Sequence, residues 1–292
     1  MSRAETMSET GGTQSIGRAV ALLRLLAAAR GRGCGLSELV DASRLSKPTC
    51  RRILVALIEA GLAEQNAETR RYFLGPEAYV LGVVAALRFG IHRLAADGVH
   101  RLAHETGDAA FLQVRREWSV VCIQREDGDY PIRSHVLAAG DRHPLGIGAG
   151  GIALLAALAD EEVDRILHLN TALLAERYPG IPESLIREQI AETRETGWSV
   201  NRGTVFPESW GIGMVVRDIS GRASSCLSLA APAGRMRADR LPDLVRLLRD
   251  EVSKLELKLR DYGAPGDGFA MEGTPRTEQD MSRKRAIERR AS

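Results

Sequence analysis

A chain of 292 residues that is 44% hydrophobic suits two compact domains with real cores, and its formal net charge of +2 excludes a nucleic-acid binder recognised by bulk basicity. No run is long and apolar enough to span a membrane, and the N-terminus, with Arg3, Glu5 and Glu9, lacks the apolar core of a signal peptide, so a cytoplasmic protein is expected. Cys34, Cys50, Cys122 and Cys226 have neither metal-ligand nor redox spacing; buried reduced thiols are expected, with no metal and no cofactor.

Residues 1–14 are polar and read as a disordered tail. From Ser15 to Arg30, Ile16, Val20, Leu23 and Ala27 recur on one helical face, and Gly31, Gly33 and Gly35 end that helix. Leu36–Ser43 reads as a short helix that Ser37 can cap. A turn at Arg44-Leu45-Ser46 comes next. Ser46 caps a second helix, with Pro48 tolerated in its first turn and Gly61 at its end. Cys50, Ile53, Leu54 and Leu57 form the core stripe of that helix, while Lys47, Thr49, Arg51 and Arg52 crowd its first half and cannot all lie on the stripe. Such a helix suits major-groove reading: Arg and Lys neutralise phosphates, and Arg pairs bidentately with guanine. The plainer alternative is a helical hairpin with a solvated basic face. The neighbouring segment favours groove reading. Leu62–Gly75 reads as two short strands around an Asn66–Thr69 turn, a wing with Arg70 and Arg71 just past its tip, placed for backbone contacts. The charge distribution agrees: residues 1–75 hold eleven Lys/Arg against seven Asp/Glu, whereas residues 76–262 hold 23 against 26.

Pro76 opens a helix whose Tyr79, Leu81, Val83, Val84, Leu87 and Ile91 are apolar nearly all round, so it is expected to be buried, either within one domain or against a partner subunit. A helix over Arg93–Thr106 precedes strands at Ala109–Arg115, Ser119–Arg125 and Ile132–Leu137, with a solvated turn at Asp127-Gly128-Asp129. In Arg142–Leu158 a glycine-rich turn feeds an apolar helix, a junction at which backbone N–H groups can face an anion; the plainer alternative is tight helix–sheet packing with no ligand. It lacks the Lys-Ser/Thr pair of a phosphate loop. Helices come next at Asp160–Leu169 and Glu183–Thr196, then strands at Trp198–Gly203, Met214–Asp218 and Ala223–Ala230, and a final amphipathic helix at Leu241–Leu259. Residues 261–292 read as a second disordered tail. Helices around a mainly antiparallel sheet make this half α+β.

Enzyme chemistry finds no support. The six histidines are scattered, His100 and His104 lack the HExxH context, and there is no Gly-x-Ser-x-Gly elbow.

Both halves resemble the IclR-type (isocitrate lyase regulator type) bacterial transcription factors. In the first half the resemblance rests on Gly35–Leu39, Ser46–Leu54, Leu57–Leu62 and Tyr72–Pro76; in the second, on Gly148–Leu158, Gly197-Trp198-Ser199, Asp218–Gly221 and Ser228–Pro232. It implies a winged helix-turn-helix at 15–75, a linker helix at 76–92 and a GAF-like α+β effector domain at 93–260, in a ligand-responsive regulator of metabolic or catabolic genes. The partners implied are double-stranded operator DNA, a small organic-acid or aromatic effector, and the chain itself as homodimer or tetramer, with no membrane. The DNA-contacting residues implied are Ser37, Ser46, Lys47, Thr49, Arg51, Arg52, Arg70 and Arg71. For the effector, the resemblance points to Gly148, Ala149 and Gly150 at the anion-facing turn, to Asn201, Gly211, Ser228 and Ala230 around the pocket, and to Leu145 and Met214 as apolar walls. Ile152 stands where many relatives carry Lys, Val215 where they carry Pro, Asn201 where they carry an acid, and Ala230 where they carry a small hydroxyl residue. Fewer polar groups suit a more apolar or larger effector. The rival reading is a helix-turn-helix module for protein contacts with a vestigial sensor.

Overall fold

The computed structural model describes residues 11–88, 90–131 and 137–262, which fall into two compact units divided after Arg88. The expected tails lie almost wholly outside the described residues, and so does the strand expected at Ile132–Leu137 apart from Leu137 itself.

The first unit holds α1 (Gly11–Ala29), α2 (Leu36–Ser43), α3 (Lys47–Glu59), the two-stranded ribbon of β1 (Ala63–Gln65) and β2 (Tyr72–Leu74), and α4 (Pro76–Arg88). Leu22 and Leu26 from α1, Leu39 from α2, and Cys50 and Leu54 from α3 are at most 1% exposed and make its core. At about 1.5–3 kcal/mol per fully buried leucine, these few side chains dominate its stability. The α3 stripe read from spacing is the buried one. Its cap is also as expected, since Ser46 Oγ accepts the Thr49 N–H at 3.4 Å and donates to Thr49 Oγ1 at 2.8 Å. The cap of α2 differs. Gly35 is its N-cap, and the Glu38 carboxylate reaches back to accept the Gly35 N–H at 2.9 Å, so Ser37 sits inside the first turn, exposed. Of the two burials expected for α4, the chain itself does not supply the first, within one domain. Tyr79, Val80, Leu81, Val83 and Val84 are 48–76% exposed.

The second unit is one antiparallel six-stranded sheet, in the order β5-β4-β3-β8-β7-β6, with helices on both faces. Its elements are α5 (Ile91–Thr106), β3 (Ala109–Arg116), β4 (Ser119–Glu126), β5 (Arg142–Pro144), α6 (Gly148–Ala156), α7 (Asp160–Arg177), α8 (Glu183–Thr196), β6 (Ser199–Phe206), β7 (Ser209–Arg217), β8 (Ala223–Pro232) and α9 (Leu241–Tyr262). Strand alternation divides the core. Leu112, Ile212, Met214, Leu227 and Leu229 pack with α5 and α9, whereas Val120 and Cys226 pack with α6, α7 and α8. β5 had no sequence signal: three residues that include His and Pro become a strand because Ser119–Val121 of β4 offers them an edge. α7 runs past its expected end at Leu169, with Asn170 and Leu174 buried beyond it.

Candidate functional site

The first unit presents a cationic surface. One side of α3 is consumed by the core, and the side chains that cannot lie there, Lys47, Arg51 and Arg52, are exposed. Among the described residues none of the three has a side-chain partner, so their charges are free for an external anion. Ser46 and Thr49 fix the helix start through their mutual hydrogen bond. In the wing, Asn66 Oδ1 accepts from the Thr69 N–H at 2.8 Å and from the Glu68 N–H at 3.0 Å, which closes the turn. Next comes Arg70, in the left-handed region at φ 57°, its side chain exposed and without a partner among the described residues.

Arg71, expected beside Arg70 at the DNA backbone, is engaged within the protein. Its Nε donates to Arg32 O at 2.8 Å, and its terminal nitrogen donates to Gly33 O at 3.0 Å and to Glu38 Oε2 at 2.9 Å. It ties the wing to the loop before α2 and to the first turn of α2. The Gly35 N–H and then Arg71 hold the Glu38 carboxyl below its ordinary value, so the clamp is ionised at neutral pH.

The second unit contains a cleft of about 560 Å³, its mouth included, where the start of α6 crosses the sheet. Gly146 and Gly148, at φ +97° and +70°, make the turn that brings α6 in. No side chain caps α6, and its first residues, Gly148, Ala149 and Gly150, line the cleft, their N–H groups lacking intrahelical partners. The helix lies against the sheet at two glycine contacts. A Cβ on Gly150 would stand 1.7 Å from Gln113 Oε1, and one on Gly213 would stand 3.0 Å from the Ala149 backbone. Ser199 Oγ donates to Ala149 O at 2.6 Å and fastens the same turn to β6.

The expected residues Gly148, Ala149, Gly150, Asn201, Gly211, Ser228 and Ala230 all line this cleft. Leu145 and Met214 do not. Leu145 is fully buried beneath the helices, and Met214 points to the α5/α9 face because strand alternation sends Gly211 and Gly213 to the cleft face instead. Asn201 Oδ1 accepts from the Thr204 N–H at 2.9 Å, and its Nδ2 has no partner among the described residues. Gln113 Oε1 accepts from Ser228 Oγ at 3.0 Å. Sequence reading missed Phe111 and Gln113, which alternation along β3 would have placed beside Ser228, and also Leu137 and Phe206, whose apolar surfaces wall the cleft. It missed His143 as well, for which no local signal exists. His100 and His104, with ring centroids 6.4 Å apart, are both exposed on α5, and no group of three metal-ligating side chains occurs among the described residues.

Comparison with known proteins agrees with this architecture. The family described as bacterial transcriptional regulator IclR C-terminal matches residues 84–257, and the IclR helix-turn-helix domain matches residues 15–67. The chain is 30% identical over 257 residues to the glycerol operon regulatory protein of Streptomyces griseus, covering 86% of this chain and 97% of that one. The crystal structure of an IclR transcriptional regulator from Alicyclobacillus acidocaldarius superposes with a TM-score of 0.71 at 24% identity, over 84% of this chain and 98% of that one. An IclR homolog from Microbacterium hydrocarbonoxydans complexed with 4-hydroxybenzoate shares the fold, with a TM-score of 0.70 at 20% identity, over 85% of this chain and 99% of that one.

Proposed function

The chain belongs to the IclR family of bacterial transcriptional regulators, ligand-responsive DNA-binding proteins rather than enzymes, and from that premise we propose which of its residues meet DNA and which meet the effector. Family membership sets aside the reading as a protein-contact module with a vestigial sensor. α3 enters the major groove with Lys47, Arg51 and Arg52, Thr49 offers its hydroxyl to the backbone, and Arg70 reaches the flanking phosphates. Ser37 and Ser46 approach the backbone at the helix starts. The observation that carries this assignment is the division of α3 into a fully buried stripe and a set of uncommitted cations.

The effector occupies the cleft at the start of α6. Unpartnered helix N–H groups and the Asn201 amide suit a carboxylate or carbonyl, and Phe111, Leu137 and Phe206 suit an aromatic or branched apolar body. The working form is a cytoplasmic homodimer that reads two half-sites, with the exposed apolar side of α4 covered by a second copy. Effector binding changes promoter occupancy through the population of DNA-competent dimers. No single helix among the described residues is long and apolar enough to cross a membrane.

The test is fluorescence anisotropy with DNA from upstream of the protein's own gene against random DNA at two salt concentrations. Specific binding that weakens with salt and falls about tenfold or more in Arg51→Ala or Arg52→Ala is expected. Affinity that is unchanged in both variants would remove α3 from the interface.

A further inference from the structure

His143 lies on β5 at one edge of the sheet and Asn201 on β6 at the other, yet both line the same cleft. Asn201 pairs with Gly211, and Ala149 packs over Gly211 and Gly213, so the start of α6 belongs to the Asn201 end. Between the two edges lie Gln113 on β3 and Ser228 on β8, joined by their hydrogen bond, with Phe111 beside them. Asn201 and Gln113 are 7% and 5% exposed, and among the described residues the amide nitrogen of each has no partner. Neither amide nitrogen is sealed from solvent, so both remain available to an acceptor in the cleft.

His143 is held from outside the cleft. Its Nδ1 is 2.7 Å from the Oη of Tyr178, a residue just beyond α7 that is not part of the lining, while Nε2 has no partner among the described residues. Burial lowers the His143 imidazole, with Asp141 opposing and Arg177 adding to the effect, and burial raises the Tyr178 phenol. Both groups are therefore neutral at pH 7. The phenol is the better acid and the imidazole nitrogen the better base, so Tyr178 donates to Nδ1 and the ring proton resides on Nε2.

Building on the effector reading above, we infer that His143 is a specificity-determining residue. Anchored by Tyr178, it donates its Nε2–H to a second polar group of the effector. The cleft thereby selects an aromatic carboxylate that carries a hydrogen-bond acceptor, such as a hydroxyl or carbonyl oxygen, at the end remote from the carboxylate. The carboxylate takes the α6 N–H groups and the Asn201 amide. The aromatic body crosses the apolar middle, and the distal oxygen meets His143.

The experiment is calorimetric titration of the full chain with benzoate, 4-hydroxybenzoate and 4-formylbenzoate, which share a carboxylate and ring and differ in the distal acceptor. Wild type is expected to bind the two para-substituted acids about tenfold more tightly than benzoate, one well-placed buried hydrogen bond being worth about that factor. His143→Ala should abolish the preference, costing the two para-substituted acids about tenfold more affinity than it costs benzoate. Tyr178→Phe should reduce the preference to about threefold by freeing the ring, and His143→Gln, which keeps an N–H donor, should restore part of it. Equal loss for all three acids in His143→Ala would make His143 a packing residue and overturn the inference. A preference that survives His143→Ala would overturn it too. Binding of none of the acids to wild type would remove both the inference and the aromatic-acid reading of the cleft, whereas binding without preference would remove the inference alone.

Discussion

Arg70 and Arg71 are adjacent in the wing, and the partners of their guanidinium groups separate their roles. Arg70 has no side-chain partner among the described residues, whereas Arg71 is bound to Arg32 O, Gly33 O and the Glu38 carboxylate. On the proposed reading, Arg71 therefore serves DNA binding through the position of the wing. Arg70→Ala should weaken operator binding and lower the salt slope by about one contact, with no change in melting temperature. Arg71→Ala should lower the melting temperature and the affinity together. An Arg71→Ala protein with unchanged melting temperature and a reduced salt slope would return Arg71 to the phosphate-contacting set. A similar division holds for the glycines. Gly150 is required by Gln113 Oε1, which occupies the place of its Cβ, while Gly148 is required by its own φ of +70°.

At the scale of elements, the pairing of α5 with α9 depends on a buried acid. Glu251 on α9 is 6% exposed, and Arg101 on α5 donates to its Oε1 at 3.1 Å and to its Oε2 at 2.6 Å, while Lys254 donates to Oε1 at 2.7 Å. Gly98 lets α9 approach, since a Cβ there would stand 2.9 Å from Glu251 Oε2. Burial pushes the Glu251 carboxyl up, but the hydrogen bonds from Arg101 and Lys254 outweigh it, and the group is held below its ordinary 4.5. The unfolded chain thus takes up this proton first as pH falls. The stabilisation is complete above about pH 4.5 and is lost as pH falls through the lowered folded value. Glu251→Gln should cost about 1–3 kcal/mol at pH 7, less than a fully buried pair because Arg101 is 39% exposed, and the difference from wild type should shrink toward pH 3. Denaturant titrations at the two pH values check this, and a pH-independent difference would assign the loss to packing.

For the whole molecule, the exposed apolar side of α4 is the feature a lone chain does not explain. Tyr79, Leu81 and Val84 are 76%, 54% and 59% exposed on one short helix. In the proposed homodimer a second copy covers them and supplies the two-fold symmetry that paired half-sites need. Leu81→Glu combined with Val84→Glu should convert a dimer to a monomer in sedimentation velocity and reduce operator affinity, with the circular dichroism of the folded units retained. A wild-type chain that sediments as a monomer at micromolar concentration would refute the assignment.

Short-range chemistry determined what the sequence alone could reveal. The Ser46 cap, the buried stripe of α3, the Asn66 turn and the glycine entry into α6 each arise within a few residues, from local hydrogen bonds or from helical period. Family motifs added Asn201, Gly211, Ser228 and Ala230 to the cleft. Tertiary structure decided the rest. Met214 faces away because the pleat of β7 assigns alternate residues to opposite faces, and Leu145 is buried because α8 packs over its turn. Arg71 finds its partners 33 to 39 residues away, and His143 meets Tyr178 across 35 residues. No local pattern encodes such meetings, because they depend on strand order and on how the sheet brings its two edges to one cleft.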